Sequence, residues 1–402
     1  MTRWIIFILI VLCLDFYAYQ SVRTVTKNKW VYLGYWLISI GVLVNLIYQL
    51  NTIGSQRGLS SSVMLAFGLI ILSIIPKLLV FVMMIGEDLF RIVKAGIHFM
   101  NKAERPYFEG RREFVSKIAL GIAAIPFSSI VFGMIQGKYN YKVLKHTLFF
   151  EDLPDAFDGF KLTHISDIHS GSFTNKEKIG YGVDLINDQD SDLILFTGDL
   201  VNNTAEEMDP WISVFGKLKA KYGKYSILGN HDYGEYTAWK TEEEKVENFQ
   251  AIKDVHPKIG FNLLLNESVF LEKDNQKIAL VGVENWGTRF KKAGDLVKAS
   301  EKTNKEDFKI LMSHDPTHWN SEVKENKHHY QLTLSGHTHG MQFGIEIPGI
   351  KWSPVQYIYK HWAGMYNEFG RYLNVNRGFG YLAFPGRVGI WPEITVITLK
   401  KK

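Results

Sequence analysis

Five short clusters of metal-ligating residue types stand in order along the chain. They read Asp167-Ile168-His169, Gly198-Asp199, Gly229-Asn230-His231-Asp232, Ser313-His314-Asp315 and Gly336-His337-Thr338-His339. Carboxylate and amide oxygens together with imidazoles are the donors that hold hard-to-borderline divalent cations. Three Asp or Asn oxygens (Asp167, Asp199, Asn230) and four imidazoles (His169, His314, His337, His339) exceed what one ion takes and suit two adjacent ions. Two such ions lower the pKa of a shared water and clamp a phosphoryl oxygen, allowing in-line attack by hydroxide at neutral pH. A Ser or Cys nucleophile is then not required, and no G-x-S-x-G is present to suggest one.

Each cluster directly follows a short apolar, β-branched run, at 161–166, 192–197, 225–228, 308–312 and 330–335. Strand-then-loop placement gathers distant residues onto one edge of a sheet, where sites of α/β proteins lie. Residues i and i+2 of an extended chain point the same way, so D-x-H and H-x-H can each offer two side chains to one site. Helices are expected at 176–187, 210–222, 241–254 and 293–302. Thr241 is placed to cap the third of these, with Glu242, Glu243 and Glu244 favoured in its first turn by the helix dipole.

The ordered set D-x-H, G-D, G-N-H-D, H and G-H-x-H resembles the calcineurin-like metallophosphoesterase family, and the resemblance covers residues 146–402. It continues in Val375-Asn376-Arg377-Gly378-Phe379-Gly380 and in Pro392-Glu393-Ile394. The resemblance implies an α/β fold: a calcineurin-like two-sheet β-sandwich flanked by helices, with mixed sheets and the site at the strand ends. By the same resemblance Asp199 bridges two divalent metal ions, Asp167, His169 and His339 hold the first, and Asn230, His314 and His337 hold the second. His231 is then the candidate acid for the leaving oxygen, with Asp232 expected to orient its imidazole and raise its pKa. N and O donors fit Mn, Fe or Zn comparably. One departure stands beside the metals: relatives continue G-H-T-H with Gly-Gly-Gln, whereas this chain has Gly340-Met341-Gln342, which is expected to alter pocket shape more than metal binding. The stretch 344–364, with Trp352, Tyr357, Tyr359, His361 and Trp362, reads either as a loop packed on the core or as a wall for an apolar substrate. His318 is expected to support the site or touch substrate.

The elements that must position this site are preceded by four apolar runs, at 4–22, 30–50, 62–85 and 118–135. Each approaches the roughly 20 helical residues that span a hydrocarbon core. The chain therefore reads as a bundle of four transmembrane helices in a membrane domain, 1–145, followed by a metallophosphoesterase domain, 146–402. Asp15 and Lys77 lie within the first and third runs and are expected to form an ion pair, because lone charges at membrane depth are costly. The only cysteine, Cys13, sits in the first run, so no disulfide within the chain and no thiolate metal site is possible.

Lys and Arg in short loops orient the bundle. Between the third and fourth runs lie Arg91, Lys94, Lys102, Arg105, Arg111, Arg112 and Lys117, which places that loop in the cytoplasm. Arg23, Lys27 and Lys29 mark the first connection and Arg57 alone the second, which agrees with an outward N-terminus and an extracytoplasmic catalytic domain. Lys138, Lys142 and Lys145 count against that order, although long domains translocate with little regard to charge. The segment around Arg111-Arg112 reads as a twin-arginine export signal or as an ordinary basic flank, and both give the same topology. The net charge of +5 comes largely from such flanks and makes no case for nucleic acid as a partner.

The function expected is hydrolysis of a phosphate ester or pyrophosphate by a multi-pass enzyme of the cell membrane. A lipid-linked or cell-envelope substrate is favoured because four helices hold the site near the bilayer. Some membrane-anchored members of the family cleave a nucleotide-linked acyl sugar on the route to lipid A, but that substrate is cytoplasmic and clashes with the outward topology. The rival class is a non-catalytic membrane receptor or scaffold, which would be expected to have lost ligands; here every ligand position is filled. Nothing in the sequence speaks to oligomeric state.

Overall fold

The computed structural model describes residues 2–52, 59–100 and 110–402, and the chain divides into two units. The first unit holds four helices, α1 (Thr2–Val25), α2 (Lys29–Thr52), α3 (Ser61–Met100) and α4 (Arg111–Ile135). Each carries a window long and apolar enough to cross a membrane. Ala18 of α1, Val80 and Met84 of α3, and Ala119 and Ala123 of α4 form one buried cluster, and Leu46 of α2 meets Ala66 and Ile70 of α3 in another. Small side chains at such contacts let helix backbones approach closely where no hydrophobic effect drives them together.

The expected ion pair is present: Lys77 Nζ lies 2.5 Å from Asp15 Oδ1 and donates to Ser39 Oγ and Ser73 Oγ at 2.8 and 2.6 Å. The third helix is longer than its apolar run. It continues past residue 85 to Met100, because the polar stretch Glu87, Asp88, Arg91 and Lys94 contains no helix breaker. That extension pairs with the next helix: Arg111 Nη2 reaches Glu87 at 2.9 Å and Arg112 Nη1 reaches Asp88 at 2.6 Å. The arginine pair thus pins α4 to α3, a structural role beyond either reading of it from sequence. Arg57, Lys102 and Arg105, used in the orientation argument, lie outside the described residues.

The second unit is built on strands β1 (Lys142–Phe150), β2 (Lys161–Ile165), β3 (Leu193–Phe196), β4 (Lys224–Ser226), β5 (Asn262–Leu263), β6 (Glu267–Lys273), β7 (Gln276–Gly282), β8 (Lys309–Met312), β9 (Leu332–Ser335), β10 (Ile345–Ile347), β11 (Ile350–Trp352), β12 (Gly364–Glu368), β13 (Arg371–Val375) and β14 (Glu393–Lys401). Because β1 starts at Lys142, a boundary at 145/146 would fall inside a strand, and residues 135–145 go with the second unit. One six-stranded sheet runs β1-β14-β2-β3-β4-β5 and the other β12-β13-β9-β8-β7-β6, both mixed.

Alternation along the strands explains the layers. Leu193 and Leu195 of β3 face the other sheet together with Ile310, Met312, Leu332 and Leu334, while Ile194 and Phe196 turn outward onto helices α5 (Lys176–Asn187) and α7 (Glu242–Lys258). Leu311 of β8 turns to the opposite flank with Val281, Trp319 and Val323. Strands covered on both faces read as unbroken apolar runs, which is how they appear in the sequence.

Two expected helices shrink to single turns, α6 (Ile212–Phe215) and α8 (Leu296–Ala299). In the first, the Asn187 side chain takes the Lys217 carbonyl and the Lys219 amide, both at 3.0 Å, and draws the chain out of helical pairing. In the second, the Ala293 and Gly294 amides are spent on the Asn285 carbonyl, so the helix begins only where Asp295 caps Lys298 N at 2.9 Å. The α7 cap forms as expected, with Thr241 Oγ1 accepting Glu244 N at 3.2 Å.

Candidate metal centre

The carboxyl ends of β2, β3 and β4 in one sheet and of β8 and β9 in the other lie at one edge of the sandwich, since the strands run parallel within each sheet. The loops leaving them are tied together by backbone bonds. Asp167 N donates to Gly198 O at 2.9 Å, His169 N to Asp199 O at 3.1 Å, and Gly336 N to His314 O at 2.8 Å. Bonds also cross between the sheets, from His314 Nδ1 to Thr197 O at 2.7 Å and from His337 N to the Asp167 carboxylate at 3.0 Å. Asp167, His169, Asp199, His337 and His339 all take positive φ, between 48° and 72°. Such conformations are uncommon outside glycine and cluster where side chains must converge on a site. Two glycines are required by proximity: a Cβ on Gly229 would overlap the Asp199 carboxylate, and one on Gly336 would overlap Ser166 and Asp167.

Two buried groups of donor atoms result, each able to hold a cation: Asp167, His169 and His339, and Asp199, His314 and His337, with the atoms of each group within 4.8 Å of one another. His339 Nε2 is 3.2 Å from Asp167 Oδ1, His169 Nε2 is 3.4 Å from Asp199 Oδ2, and His314 Nε2 is 3.2 Å from that same oxygen. The amide of Asn230 joins the second group, its Oδ1 2.8 Å from His337 Nδ1. His169 Nε2 and His339 Nε2 are buried without a hydrogen-bond partner. At His169 the Nδ1 hydrogen faces Asn202 Oδ1, so the bare Nε2 is a buried lone pair that costs free energy unless a ligand takes it; the residues fit divalent ions. Burial alone would lower the His314 imidazole, but the Asp199 and Asp167 carboxylates outweigh it and raise it to about 10. Burial would likewise raise Asp199, yet His314, His231 and His169 hold it well below the usual carboxylate range. The pocket draws positive charge to this spot, as a cation site must.

The outer nitrogens of the imidazoles are also placed. His314 Nδ1 faces a carbonyl, which can only accept, so it carries a hydrogen and Nε2 is the nitrogen turned toward Asp199. His169 Nδ1 meets Asn202 Oδ1 at 3.1 Å, and His337 Nε2 meets the Tyr359 hydroxyl at 2.9 Å. Such partners fix tautomer and ring orientation in metal sites. For His339 the neighbour is Arg387 Nη2, 3.2 Å from Nδ1. The Arg387 guanidinium is fully buried, and Nη2 also donates to the Gly378 and Gly380 carbonyls at 3.2 and 2.5 Å.

One expectation is corrected by this geometry. Asp232 does not face the His231 imidazole. Its Oδ2 accepts Asp199 N at 2.9 Å and Gly229 N at 2.8 Å, and its Oδ1 accepts Leu200 N at 2.8 Å and Val201 N at 3.3 Å. The carboxylate is turned away because the loops after β3 and β4 present four buried backbone donors to it. His231 Nδ1 is held instead by the Asn202 carbonyl at 2.8 Å, which leaves Nε2 as its free nitrogen. Its ring stands 4.9 Å from that of His169 and 4.4 Å from that of Tyr236. Burial lowers its pKa, opposed by the Asp199 carboxylate and the Asn202 carbonyl.

His318 is a core residue and touches none of these groups. Ser313 Oγ holds its Nδ1 at 2.8 Å, Glu322 lies 3.3 Å from its Nε2, and its ring stacks on Trp286. Met341 sits at φ 55° and is 48% exposed, where a glycine would relieve the backbone. The aromatic stretch divides: Trp362 packs with Val355 and Ile390, whereas Tyr359 reaches His337. Asn202 and Arg387 were not singled out from sequence, and Tyr359 was named there only as part of the aromatic stretch, not as a partner of His337. Only Asn202 left a signal, as a polar residue three positions after Asp199 behind an apolar pair.

Comparison with known proteins agrees with both units. Residues 160–341 match the family model for the calcineurin-like phosphoesterase domain, and residues 2–138 match that for the probable calcineurin-like phosphoesterase transmembrane domain. The uncharacterized metallophosphoesterase YkuE of Bacillus subtilis is 32% identical over 261 residues, covering 64% of this chain and 84% of that protein. A zebrafish (Danio rerio) transmembrane protein with metallophosphoesterase domain is 29% identical over 280 residues, 67% of this chain and 60% of that one. Phosphodiesterase YaeI of Escherichia coli is 26% identical over 262 residues, 64% of this chain and 88% of that protein. With its ordered Asp, Asn and His loops at one edge of a two-sheet sandwich and four apolar helices before it, this chain belongs to the calcineurin-like metallophosphoesterases.

Proposed function

We propose that the protein is a membrane-anchored phosphoesterase that hydrolyses a phosphate ester or pyrophosphate using two divalent ions. The observation that carries this reading is the pair of buried donor groups sharing one edge, with Asp199 placed between them: its Oδ2 lies within 3.4 Å of His169 in one group and 3.2 Å of His314 in the other. A carboxylate with two oxygens can serve two cations at once and reduce their repulsion. Asp167, His169 and His339 then hold one ion, and Asn230, His314 and His337 the other, as Mn, Fe or Zn. When bound, two such ions supply an activated water and clamp a phosphoryl oxygen.

The remaining roles belong to the chain. His231, with Nδ1 spent on the Asn202 carbonyl, keeps Nε2 for delivering a proton to the leaving oxygen. Asp232 acts as a positioning residue, fixing the loops that carry Asp199 and Asn230. An extracytoplasmic domain and a lipid-linked or cell-envelope substrate are supported by the basic flank of α4 and by the membrane anchor. The relative named a phosphodiesterase adds diesters to the candidate substrates.

The test is Asp199→Asn in the full chain, with metal analysis and a panel of phosphate monoesters, diesters and pyrophosphates. Hydrolysis should be abolished and bound metal reduced, because a neutral amide bridges two cations poorly. Two metals per chain with full activity would refute the assignment.

A further inference from the structure

The β10–β11 hairpin is built inside out. It forms a two-stranded sheet of its own, paired Ile345↔Trp352, Glu346↔Lys351 and Ile347↔Ile350. Directly opposed residues share a face, so Ile345, Ile347, Ile350 and Trp352 lie on one side and Glu346 and Lys351 on the other. The polar side is the one turned to the domain. Glu346 pairs with Arg377 at 2.5 Å, and Lys351 Nζ donates to the Ala363 carbonyl at 2.5 Å and stands 4.8 Å over the Trp362 ring. The apolar side is turned out, with Ile345 49%, Ile347 55% and Ile350 54% exposed. Beside Trp352, the 77% exposed Tyr357 brings its hydroxyl within 3.4 Å of the indole nitrogen. A ribbon in water would place these faces the other way round, and isolated two-stranded ribbons are marginal even then.

Chain connectivity indicates what covers that face. The last membrane helix ends at Ile135, and the cleft beside the hairpin tip is lined by Lys142 and Leu144 together with Ile347, Pro348 and Trp391. From Ile135 to Lys142 the chain can reach at most about 25 Å, which keeps the hairpin tip close to where the polypeptide leaves the bilayer. Lys138 and Lys142 stand on that same connection, where cations favour anionic headgroups. Isoleucine with flanking Trp and Tyr is the composition of the water–lipid interface.

We infer that the hairpin seats its Ile345, Ile347, Ile350 and Trp352 face in the headgroup–acyl boundary of the bilayer and presents the metal centre to phosphoesters held in that surface. The hairpin is joined to the centre at both ends. It begins six residues after His339, Ser353 Oγ returns to the Gly340 carbonyl at 2.8 Å, and Tyr359 returns to His337 at 2.9 Å. Seating the ribbon therefore fixes the metal loop relative to the lipid plane. The lipid contact stands on the hairpin alone; the substrate consequence rests on the proposed function.

Two measurements separate these. In full chain reconstituted into phosphatidylcholine–phosphatidylglycerol vesicles, with Cys13→Ser to remove the native thiol, a fluorophore on Ile347→Cys should be quenched by doxyl-labelled lipid and protected from iodide. The same label on Val297→Cys, on the exposed α8 turn, should behave in reverse. Equal iodide access at the two positions would overturn the lipid contact, whether or not the enzyme is active. In the second measurement, Ile345→Ser, Ile347→Ser and Ile350→Ser are combined. The rate on water-soluble nitrophenyl phosphate should stay unchanged, while that on a phosphoester embedded in the vesicles should fall about tenfold or more, the scale expected from losing three half-buried isoleucines in lipid. Equal effects on both substrates would overturn presentation from the surface.

Discussion

Asp232→Asn tests the revised role of the aspartate after Gly-Asn-His most directly. Each carboxylate oxygen accepts two backbone amides, Asp199 and Gly229 on one side and Leu200 and Val201 on the other. Whichever oxygen becomes an NH2, two buried donors lose their acceptor and face another donor. Hydrogen bonds to a charged group contribute about 1.5–3 kcal/mol each, so the cost is about 3–6 kcal/mol. That is a large part of the roughly 5–15 kcal/mol that stabilises a folded domain. With about 2–4 °C per kcal/mol for a domain of this size, the metal-free second unit should melt about 6–24 °C lower. The assay is thermal unfolding of the full chain in chelator, so that bound ions do not mask the change, followed by metal titration, which should show weakened affinity. An unchanged melting temperature with a lowered rate on poor leaving groups would refute this reasoning and return Asp232 to the side of His231.

The other expected outcomes are these. His231→Ala should leave metal content nearly intact and lower the rate by about 10²-fold or more, the range for loss of a general acid; the loss should shrink for nitrophenol leaving groups, and an equal loss for good and poor leaving groups would remove His231 from that role. A reporter active only outside the cytoplasm should work when fused after Lys402 and stay silent near Asn101; a silent C-terminal fusion would place the domain in the cytoplasm and favour a nucleotide-linked lipid precursor. Arg111→Lys with Arg112→Lys keeps the charge, so a topology set by charge should survive it, whereas twin-arginine export should fail. Asp15→Asn leaves Lys77 without its counter-charge, with only Ser39, Ser73 and the Tyr35 ring as neutral partners, and should destabilise the purified chain by about 3–5 kcal/mol, with Asp15→Leu plus Lys77→Met recovering most of the loss; equal stability of the single variant and the parent would show the pair to be dispensable.

Donor types and strand-end placement were legible because both are local. The β-branched runs before Asp167, Asp199, Asn230, His314 and His337 became strands within two residues of their expected limits, the largest differences being at Ser226, where β4 ends, and Leu332, where β9 begins. What holds the ligands was not legible, because those partners arrive from elsewhere in the chain. Tyr359 lies 22 residues and Arg387 48 residues from the histidines they touch. Asp232 was misread for the same reason: adjacency in sequence suggested His231, whereas the fold brought it the amides of the neighbouring strand's loop. The shortened helices follow suit, since side chains of Asn187 and Asp295 and the Asn285 carbonyl outcompete helical pairing that local propensity alone would favour.

Asn202 touches two histidines by different means: its side-chain oxygen meets His169 and its backbone carbonyl meets His231. Substitution at this position can remove only the first of these contacts. The acceptor for His231 is common to every amino acid and passes through any mutation untouched. Sequence drift at 202 is therefore free to retune how firmly one proposed ligand is held while the proposed proton donor keeps its bearing. Metal affinity and proton delivery become separately adjustable properties of a single residue, and a lineage could explore new ions without first losing its acid.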